Sequence, residues 1–506
     1  MSRSRACRFH TAALECLPGP ARAPAVEHPS AHITWGECAA NGSRSFTGYT
    51  LEQMHRAVRS HTSSVFEERL AAFWRKLRSG ERVRVLTLGG SLTLGVRMCC
   101  DWVTPWPVFL SRWLRHNFGQ AQHIVDNWAR GSMDTIGLEA VWPANPEGYD
   151  LVVVETGSND MAIVSNFHQT SEHVKAAMEL IVLRVRAKSS AALLLLETFP
   201  GGRIQKHGFF DTAKIRATWK QDVPIFQDAY VNGDSLHVEV ARYYGVPQVS
   251  LAQALFPEYR LWREDSSSHW HESKWIDQCC PPCYDAFHPN AEGQARFAEL
   301  AASYLVAFGQ GLPPDLPATK MSHERPRPLF VSESVAEAEE SPAVPLILDF
   351  QVSNGGSHVA FAHGWSHFED VPGKPGWISQ RSNVSTSHVE PGPTNFGGLR
   401  ELGFTFVSGA LGQLQIGYLK SHKTGMGIVN FTVRCDRPRG RSTTRLLAAS
   451  HVYHRLRFDG SHNSPTSVPT YTTVTGLVPR AACNATFVLN PGPPKFKVVA
   501  LTQGIR

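Results

Sequence analysis

The chain has 506 residues, of which 42% are hydrophobic and 19% charged, and its net charge is +6. This length exceeds one hydrophobic core, so two domains are expected, and the 33 prolines and 40 glycines argue against long helical bundles. The small net charge and the lack of a Lys/Arg run give no support to nucleic-acid binding, and no apolar run is long enough for a transmembrane segment.

Residues 1–45 are predicted to be a disordered segment. They contain scattered Arg, Pro and Ala residues and no continuous apolar stretch, so no secretory signal peptide is visible, although the composition would suit a transit peptide. The ten cysteines do not fix a compartment by their number.

Two features of the sequence favour a lumenal or extracellular protein. Cys435 and Cys483 could bridge two strands, and glycosylation sequons lie at Asn41, Asn383, Asn430 and Asn484. Because the missing signal peptide argues the other way, the localisation stays open.

Strands and helices alternate over residues 46–310, which predicts an α/β domain with a parallel, doubly wound sheet. Apolar residues at three- and four-residue spacing predict the helices Glu52–Lys76, Pro107–Phe118, Ser171–Ala187, Leu236–Tyr244 and Ala291–Phe308. Short apolar runs predict the strands Val83–Leu88, Gln122–Asp126, Asp150–Glu155, Ala191–Glu197 and Pro247–Leu251.

The pattern changes after the last of these helices. Residues 311–345 are rich in Pro and acidic residues and are predicted to be a linker. Residues 346–506 contain several segments in which apolar and polar residues alternate, separated by Gly, Pro, Asn and Asp, and this alternation predicts an antiparallel β-sandwich of jelly-roll type.

Residues typical of acyl-transfer sites follow several of the predicted strands. The first strand leads directly into Gly89-Gly90-Ser91, which would place a hydroxyl at the carboxyl end of the sheet, where such folds bind ligands. Two more strand ends carry the loop around Gly131 and the sequence Gly157-Ser158-Asn159-Asp160, and Asp285-Ala286-Phe287-His288 precedes the last helix.

These four blocks, in this order, resemble the SGNH hydrolases, the GDSL-type esterase and lipase superfamily, over roughly Arg82 to Gly311. The resemblance implies a three-layer α/β/α, flavodoxin-like domain with a parallel sheet and a serine esterase that needs no cofactor. It also implies the site residues. Ser91 matches the nucleophile, His288 the general base and Asp285 its orienting partner, and the oxyanion-hole donors match Ser91, Gly131 and Asn159.

The chemistry of ester hydrolysis explains why these residue types are needed together. A serine hydroxyl becomes a good nucleophile only when an imidazole removes its proton, and a carboxylate holds that imidazole in the right tautomer. The negative oxygen of the tetrahedral intermediate needs N–H donors that are already in place. Two departures from the family pattern are visible, since Gly90 stands where the family usually has Asp and the second block has fewer glycines, which leaves the register of Gly131 open.

Two other clusters have alternative interpretations. Cys279, Cys280 and Cys283 with His269 and His271 suggest a metal site, but their spacing lacks a second half, so no metal is predicted and a disulfide or buried thiols are favoured. The aromatic residues Trp365, Phe368, Trp377 and Phe396 could stack on sugars, but we expect them in the core of the sandwich.

The sequence therefore predicts a serine esterase that hydrolyses carboxylic esters and has no nucleic-acid partner. The attached sandwich makes an O-acetylated carbohydrate a candidate substrate. Two alternatives stay open, an O-acyltransferase with the same triad and a non-catalytic carbohydrate-binding protein. The oligomeric state is left open.

Overall fold

The computed structural model describes a little over half of the chain in separate ranges. They are residues 49, 51–62, 64–95, 104–119, 121–142, 148–166, 170–198, 235–254, 288–289, 291–312, 326–340, 347–349, 356–369, 375–379, 400–409, 411–421, 426–436, 452–461, 468–491, 493 and 495–502.

A six-stranded sheet forms the centre of the N-terminal domain, with the strand order β1-β6-β5-β4-β2-β3. Strands β2 to β6 are parallel, as predicted, and β1 pairs antiparallel with β6 at one edge. The strands are β1 (Val58–Ser60), β2 (Arg84–Gly89), β3 (Ile124–Asn127), β4 (Leu151–Glu155), β5 (Ala192–Glu197) and β6 (Gln248–Ser250).

Helices cover both faces of this sheet. Alternate residues of β4 point to opposite faces, so Leu151 and Val153 pack in one hydrophobic cluster while Val152 and Val154 pack in another. The three-layer α/β/α arrangement is therefore confirmed. The helices are α1 (Leu51–Ala57), α2 (Ser64–Arg78), α3 (Ser91–Leu94), α4 (Trp106–Asn117), α5 (Thr135–Ala140), α6 (Gly157–Asn166), α7 (Ser171–Lys188), α8 (Ser235–Tyr244), α9 (Ala291–Gly311) and α10 (Glu333–Glu340).

The single helix predicted over Glu52–Lys76 is wrong. The chain forms α1, leaves the helix for β1 and begins α2 at Ser64. The break arises because Val58 and Ser60 pair with the edge strand β6, and this non-local pairing overrides the helical spacing of the apolar residues.

The C-terminal domain is the predicted antiparallel β-sandwich. One sheet has the order β15-β12-β17-β10-β9, with β7 also pairing with β17, and the other has the order β14-β13-β16-β11-β8. The strands are β7 (Ile347–Asp349), β8 (Val359–His363), β9 (Trp365–Glu369), β10 (Pro375–Ser379), β11 (Glu401–Val407), β12 (Leu414–Lys420), β13 (Ile428–Cys435), β14 (Val452–Asp459), β15 (Val468–Val474), β16 (Ala482–Leu489) and β17 (Phe496–Thr502).

The core of the sandwich lies between its two sheets. Trp365 and Trp377 are buried there, which confirms the core interpretation for these two aromatic residues. The interpretation is wrong for Phe368, which is partly exposed and not part of this cluster, and Phe396 lies outside the described residues. Cys435 and Cys483 face each other on β13 and β16 and form a disulfide, as the sequence suggested.

The two domains share a hydrophobic cluster. Tyr471 of β15 and Ala500 of β17 pack into the cluster that also contains Ile136 of α5. The contact is close, because a Cβ atom added at Gly137 would lie 2.8 Å from the ring of Tyr471. The sandwich therefore packs directly against the helix α5.

Within the expected linker, residues 326–340 pack against the N-terminal domain. The buried carboxylate of Glu179, in α7, accepts hydrogen bonds from the backbone N–H groups of residues 329, 330 and 331 at 2.6, 2.6 and 2.9 Å and from the hydroxyl of Tyr244 at 2.7 Å. This single carboxylate fixes the segment that leads to α10.

Among the helices in the described part of the chain, none has both the length and the apolar character needed to cross a lipid bilayer.

We predict that Glu179→Gln releases this segment. The amide group of Gln would turn N–H donors toward backbone N–H donors, which removes hydrogen bonds to a charge worth roughly 1.5 to 3 kcal/mol each. Hydrogen exchange of the amides at positions 329–331 is expected to accelerate by about 10²-fold. Glu172→Gln, at an exposed position of the same helix, is the matched control, and equal exchange rates in both variants would contradict the role of Glu179.

Candidate active site

Ser91 is the first residue of α3 and follows the end of β2. Two glycines precede it because their neighbours leave no room for a side chain. A Cβ atom at Gly89 would lie 2.4 Å from the carbonyl oxygen of Glu155, and one at Gly90 would lie 1.9 Å from Nδ2 of Asn159. The end of β2 and the start of α6 therefore lie in close contact, and this contact brings Ser91 next to Asn159.

His288 reaches Ser91 from a distant part of the sequence. Its Nε2 lies 2.8 Å from the Oγ of Ser91, and both side chains are largely buried, with exposed fractions of 8% and 7%. This distance is within the range for proton transfer from a hydroxyl to an imidazole.

Gln294 ties the helix that follows His288 to the helix that begins with Ser91. Its Nε2 donates to the carbonyl of Leu92 at 2.9 Å, and its Oε1 accepts from the backbone N–H of Trp106 at 2.9 Å. Gln294 is buried, so both hydrogen bonds are sheltered from water. They hold α9 against α3 and against the start of α4 and thereby keep His288 near Ser91.

Asn159 lies on the other side of Ser91. Its Nδ2 donates to the carbonyl of Met133 at 2.8 Å, and a Cβ atom at Gly90 would lie 3.0 Å from this same carbonyl oxygen. The predicted Gly131 lies two residues earlier, in a turn in which Ser132 has a φ of 63°. The contact of this loop with Asn159 is thus made by Met133.

Asp160 binds the same loop at Thr135, two residues after Met133. Its Oδ1 accepts from the backbone N–H of Thr135 at 2.7 Å and its Oδ2 accepts from the Thr135 hydroxyl at 2.6 Å. Both residues are fully buried. The adjacent residues Asn159 and Asp160 of α6 therefore bind the loop before α5 at two positions, Met133 and Thr135.

A buried histidine lies behind Asp160. Nε2 of His237 is 2.9 Å from Oδ2 of Asp160, and Nδ1 is 2.7 Å from Oε1 of Glu197. Burial alone would lower the pKa of His237, but the two carboxylates outweigh it and raise the pKa to about 10. The imidazole is accordingly a cation at neutral pH.

Glu155 ends β4 beneath Ser91. Its two oxygens accept from the hydroxyls of Thr198 at 2.6 Å and Thr93 at 2.7 Å. Burial raises the pKa of Glu155 to about 8, against the opposing effect of these hydrogen bonds. The nearby carboxylates of Glu197 and Asp160 contribute to this rise.

The structure brings together three of the residues that the sequence singled out, namely Ser91, Asn159 and His288. Asp285 and the cluster of Cys279, Cys280, Cys283, His269 and His271 lie outside the described residues. Within the ranges described above, no three His, Cys, Asp or Glu side chains are grouped in a way that could hold a metal ion.

Sequence reasoning missed the buried polar residues around the site. Glu155 and Glu197 had a signal, because each ends an unbroken apolar strand with a carboxylate. His237 and Gln294 had none, since each is one of several polar residues in its helix and its hydrogen-bond partners lie far away in the sequence.

Comparison with solved structures finds the same two-domain architecture elsewhere. A two-domain esterase active on acetylated mannans aligns with a TM-score of 0.55 and 17% identity, over 89% of this chain and 97% of that one. The same enzyme co-crystallised with mannopentaose aligns with a TM-score of 0.54 and 16% identity over the same shares. At this identity the likeness concerns the fold.

Comparison with protein families matches part of the chain, and no curated protein matches it. The match is to the GDSL-like Lipase/Acylhydrolase family and covers residues 87–296, which run from β2 through Ser91, Asn159 and His288 into α9. Residues 87–296 are thus a GDSL-like lipase/acylhydrolase domain, and the protein is a hydrolase that acts on ester bonds.

Proposed function

We propose that the protein removes acyl groups from the hydroxyl groups of a carbohydrate, with Ser91 as nucleophile and His288 as general base. The observation that carries this proposal is the 2.8 Å distance between Ser91 Oγ and His288 Nε2. A serine hydroxyl next to an imidazole nitrogen is the arrangement that turns a weak nucleophile into an effective one. Asp285 is the proposed partner that orients His288.

The proposed reaction has two halves. Ser91 Oγ forms a bond to the ester carbonyl carbon, its proton passes to His288 Nε2, and the carbonyl π electrons move onto the oxygen. When the carbonyl forms again, the bond to the sugar oxygen breaks and His288 returns the proton to that oxygen. Water then attacks the acyl-enzyme in the same way, which releases the carboxylic acid and restores Ser91.

The negative oxygen formed in each half needs donors. The amide nitrogen of Asn159 carries two hydrogens, of which one goes to the carbonyl of Met133, and we assign the second to the negative oxygen. The backbone N–H of Ser91, at the start of α3, is the second proposed donor, and that of Gly131 is the third.

The carbohydrate substrate is supported by architecture. The structural neighbour that combines both domains acts on acetylated mannans, and its alignment covers 97% of its own length. We therefore propose O-acetyl groups on a polysaccharide as the substrate.

We predict that Ser91→Ala lowers kcat for p-nitrophenyl acetate by about 10⁴-fold or more, because the variant has no oxygen to attack the ester. Release of acetate from acetylated mannan, measured without an added acceptor, is expected to fall in parallel. Ser79→Ala, at an exposed serine after α2, is the matched control and keeps the wild-type rate. Wild-type activity in Ser91→Ala would refute the proposed nucleophile. If the wild type transferred acetyl groups only when an acceptor sugar was added, an acyltransferase would be indicated instead.

We predict that Asn159→Ala lowers kcat by about 10²- to 10³-fold while KM changes little, since an oxyanion-hole donor acts mainly in the transition state. Steady-state kinetics with p-nitrophenyl acetate measure both constants. A rise in KM at unchanged kcat would show that Asn159 binds the ground state and would remove it from the oxyanion hole.

A further inference from the structure

We propose that His237 is a positioning residue, which holds the amide of Asn159 in place through Asp160 and Thr135. This inference rests on the proposed function, since it concerns how one of the proposed oxyanion-hole donors is oriented. It assigns a role to a buried histidine that the reaction above does not use.

The first step is the row of buried polar side chains that runs under the site. It crosses five elements and is made of Gln248 in β6, Glu197 in β5, His237 in α8, Asp160 in α6 and Thr135 in α5. Each member of the row is at most 3% exposed. The Nε2 of Gln248 donates to Oε1 of Glu197 at 3.0 Å, and His237 bridges Glu197 and Asp160 at 2.7 and 2.9 Å.

The second step concerns charge. Burying an unpaired carboxylate costs several kcal/mol, so two carboxylates this close would favour protonation of one of them. A cationic imidazole between Asp160 and Glu197 removes that tendency. Glu155, the next acidic side chain, lies at the end of β4 near both carboxylates, and the charges that favour the imidazolium form of His237 are those of Glu197 and Asp160.

The third step links charge to geometry. Asp160 accepts hydrogen bonds from both the backbone N–H and the hydroxyl of Thr135, and only an ionised carboxylate can act purely as an acceptor with both of its oxygens. A proton on Asp160 would have to occupy one of those oxygens and would weaken its hold on Thr135.

The fourth step reaches the candidate site. Thr135 lies two residues after Met133, whose carbonyl accepts the Asn159 amide at 2.8 Å. Because Asn159 and Asp160 are adjacent in α6, the loop and the helix are joined at two points. With the Asp160 contact weakened, the loop that carries Met133 is held less firmly against α6, and a donor that is displaced by a fraction of an ångström stabilises the transition state less.

The test is a double-mutant cycle with His237→Gln and Asn159→Ala. Gln is neutral at every pH, so it removes the cation between the two carboxylates. We expect His237→Gln alone to lower kcat by about 10- to 100-fold with KM within about 2-fold of wild type. In the Asn159→Ala background the same substitution is expected to cost less than about 3-fold, because the donor that His237 positions is already absent.

The pH dependence gives a second readout. In His237→Gln no cation lies between the carboxylates of Asp160 and Glu197, so the loss of kcat relative to wild type is expected to be larger at pH 6 than at pH 8. His173→Gln, at an exposed position in α7, is the matched control and is expected to keep the wild-type kcat, KM and pH profile.

The outcomes separate the two proposals. Additive effects of His237→Gln and Asn159→Ala, or a wild-type kcat in His237→Gln, overturn the positioning role while the loss of activity in Ser91→Ala still supports the esterase. Wild-type activity in Ser91→Ala overturns the proposed nucleophile and with it the proposed reaction.

If His237→Gln does not fold, two other measurements decide the question. Nitrogen NMR of the wild-type protein at pH 8 is expected to show one buried imidazole with protons on both nitrogens, and a neutral ring would overturn the proposal. Thr135→Val, which removes only the hydroxyl that Asp160 holds, is expected to lower kcat and to be non-additive with Asn159→Ala. Additive effects would overturn it.

Discussion

The close approach of Gly89 and Gly90 to the neighbouring chain is the constraint on which the site depends. A side chain at Gly89 would collide with the carbonyl of Glu155, and one at Gly90 would collide with the amide of Asn159. With hydrogen in place of Cβ, the end of β2 lies directly beside the end of β4 and the start of α6. The absence of a side chain at position 90 is therefore what leaves room for the amide of Asn159 next to Ser91.

The same edge of the sheet carries a layer of buried polar groups. β4 and β5 are apolar until their last residues, Glu155 and Glu197, which are 1% and 3% exposed. Buried ionisable groups are costly unless they are paired, and both carboxylates have partners from other elements. Since the two apolar clusters already hold the sheet and its helices together, this polar layer is better explained by the site above it than by stability.

The sequence was sufficient to predict the parallel sheet and the sandwich, because each gives a regular pattern of apolar residues. The pattern is unbroken apolar runs in the sheet and alternation with polar residues in the sandwich. It was also sufficient to place Ser91, Asn159 and His288 at the same edge, since each block follows a strand or precedes the last helix. It could not predict the break at β1, which depends on pairing with the distant β6.

The finer geometry of the site lay beyond the sequence for similar reasons. Which residue of the second block meets Asn159 depends on the local turn, where the left-handed φ of Ser132 places Met133 at the contact. The role of His237 depends on Asp160 and Glu197, which lie 77 and 40 residues away in the sequence.

The sandwich follows the N-terminal domain in the sequence and also packs against the helix α5, which begins next to the site. Tyr471 lies between Gly137 of α5 and Gly417 of β12, and a side chain at either glycine would meet its ring within 3 Å. The helix α5 begins at Thr135, the residue that Asp160 holds, so one end of α5 is fixed by the layer under the site and its side is covered by the sandwich. A displacement of Tyr471 would act on α5 and, through Thr135, on the loop that contacts Asn159. The spacing of apolar residues changes near residue 346 because the secondary structure changes there. The packing that supports the site nevertheless includes residues on both sides of this position.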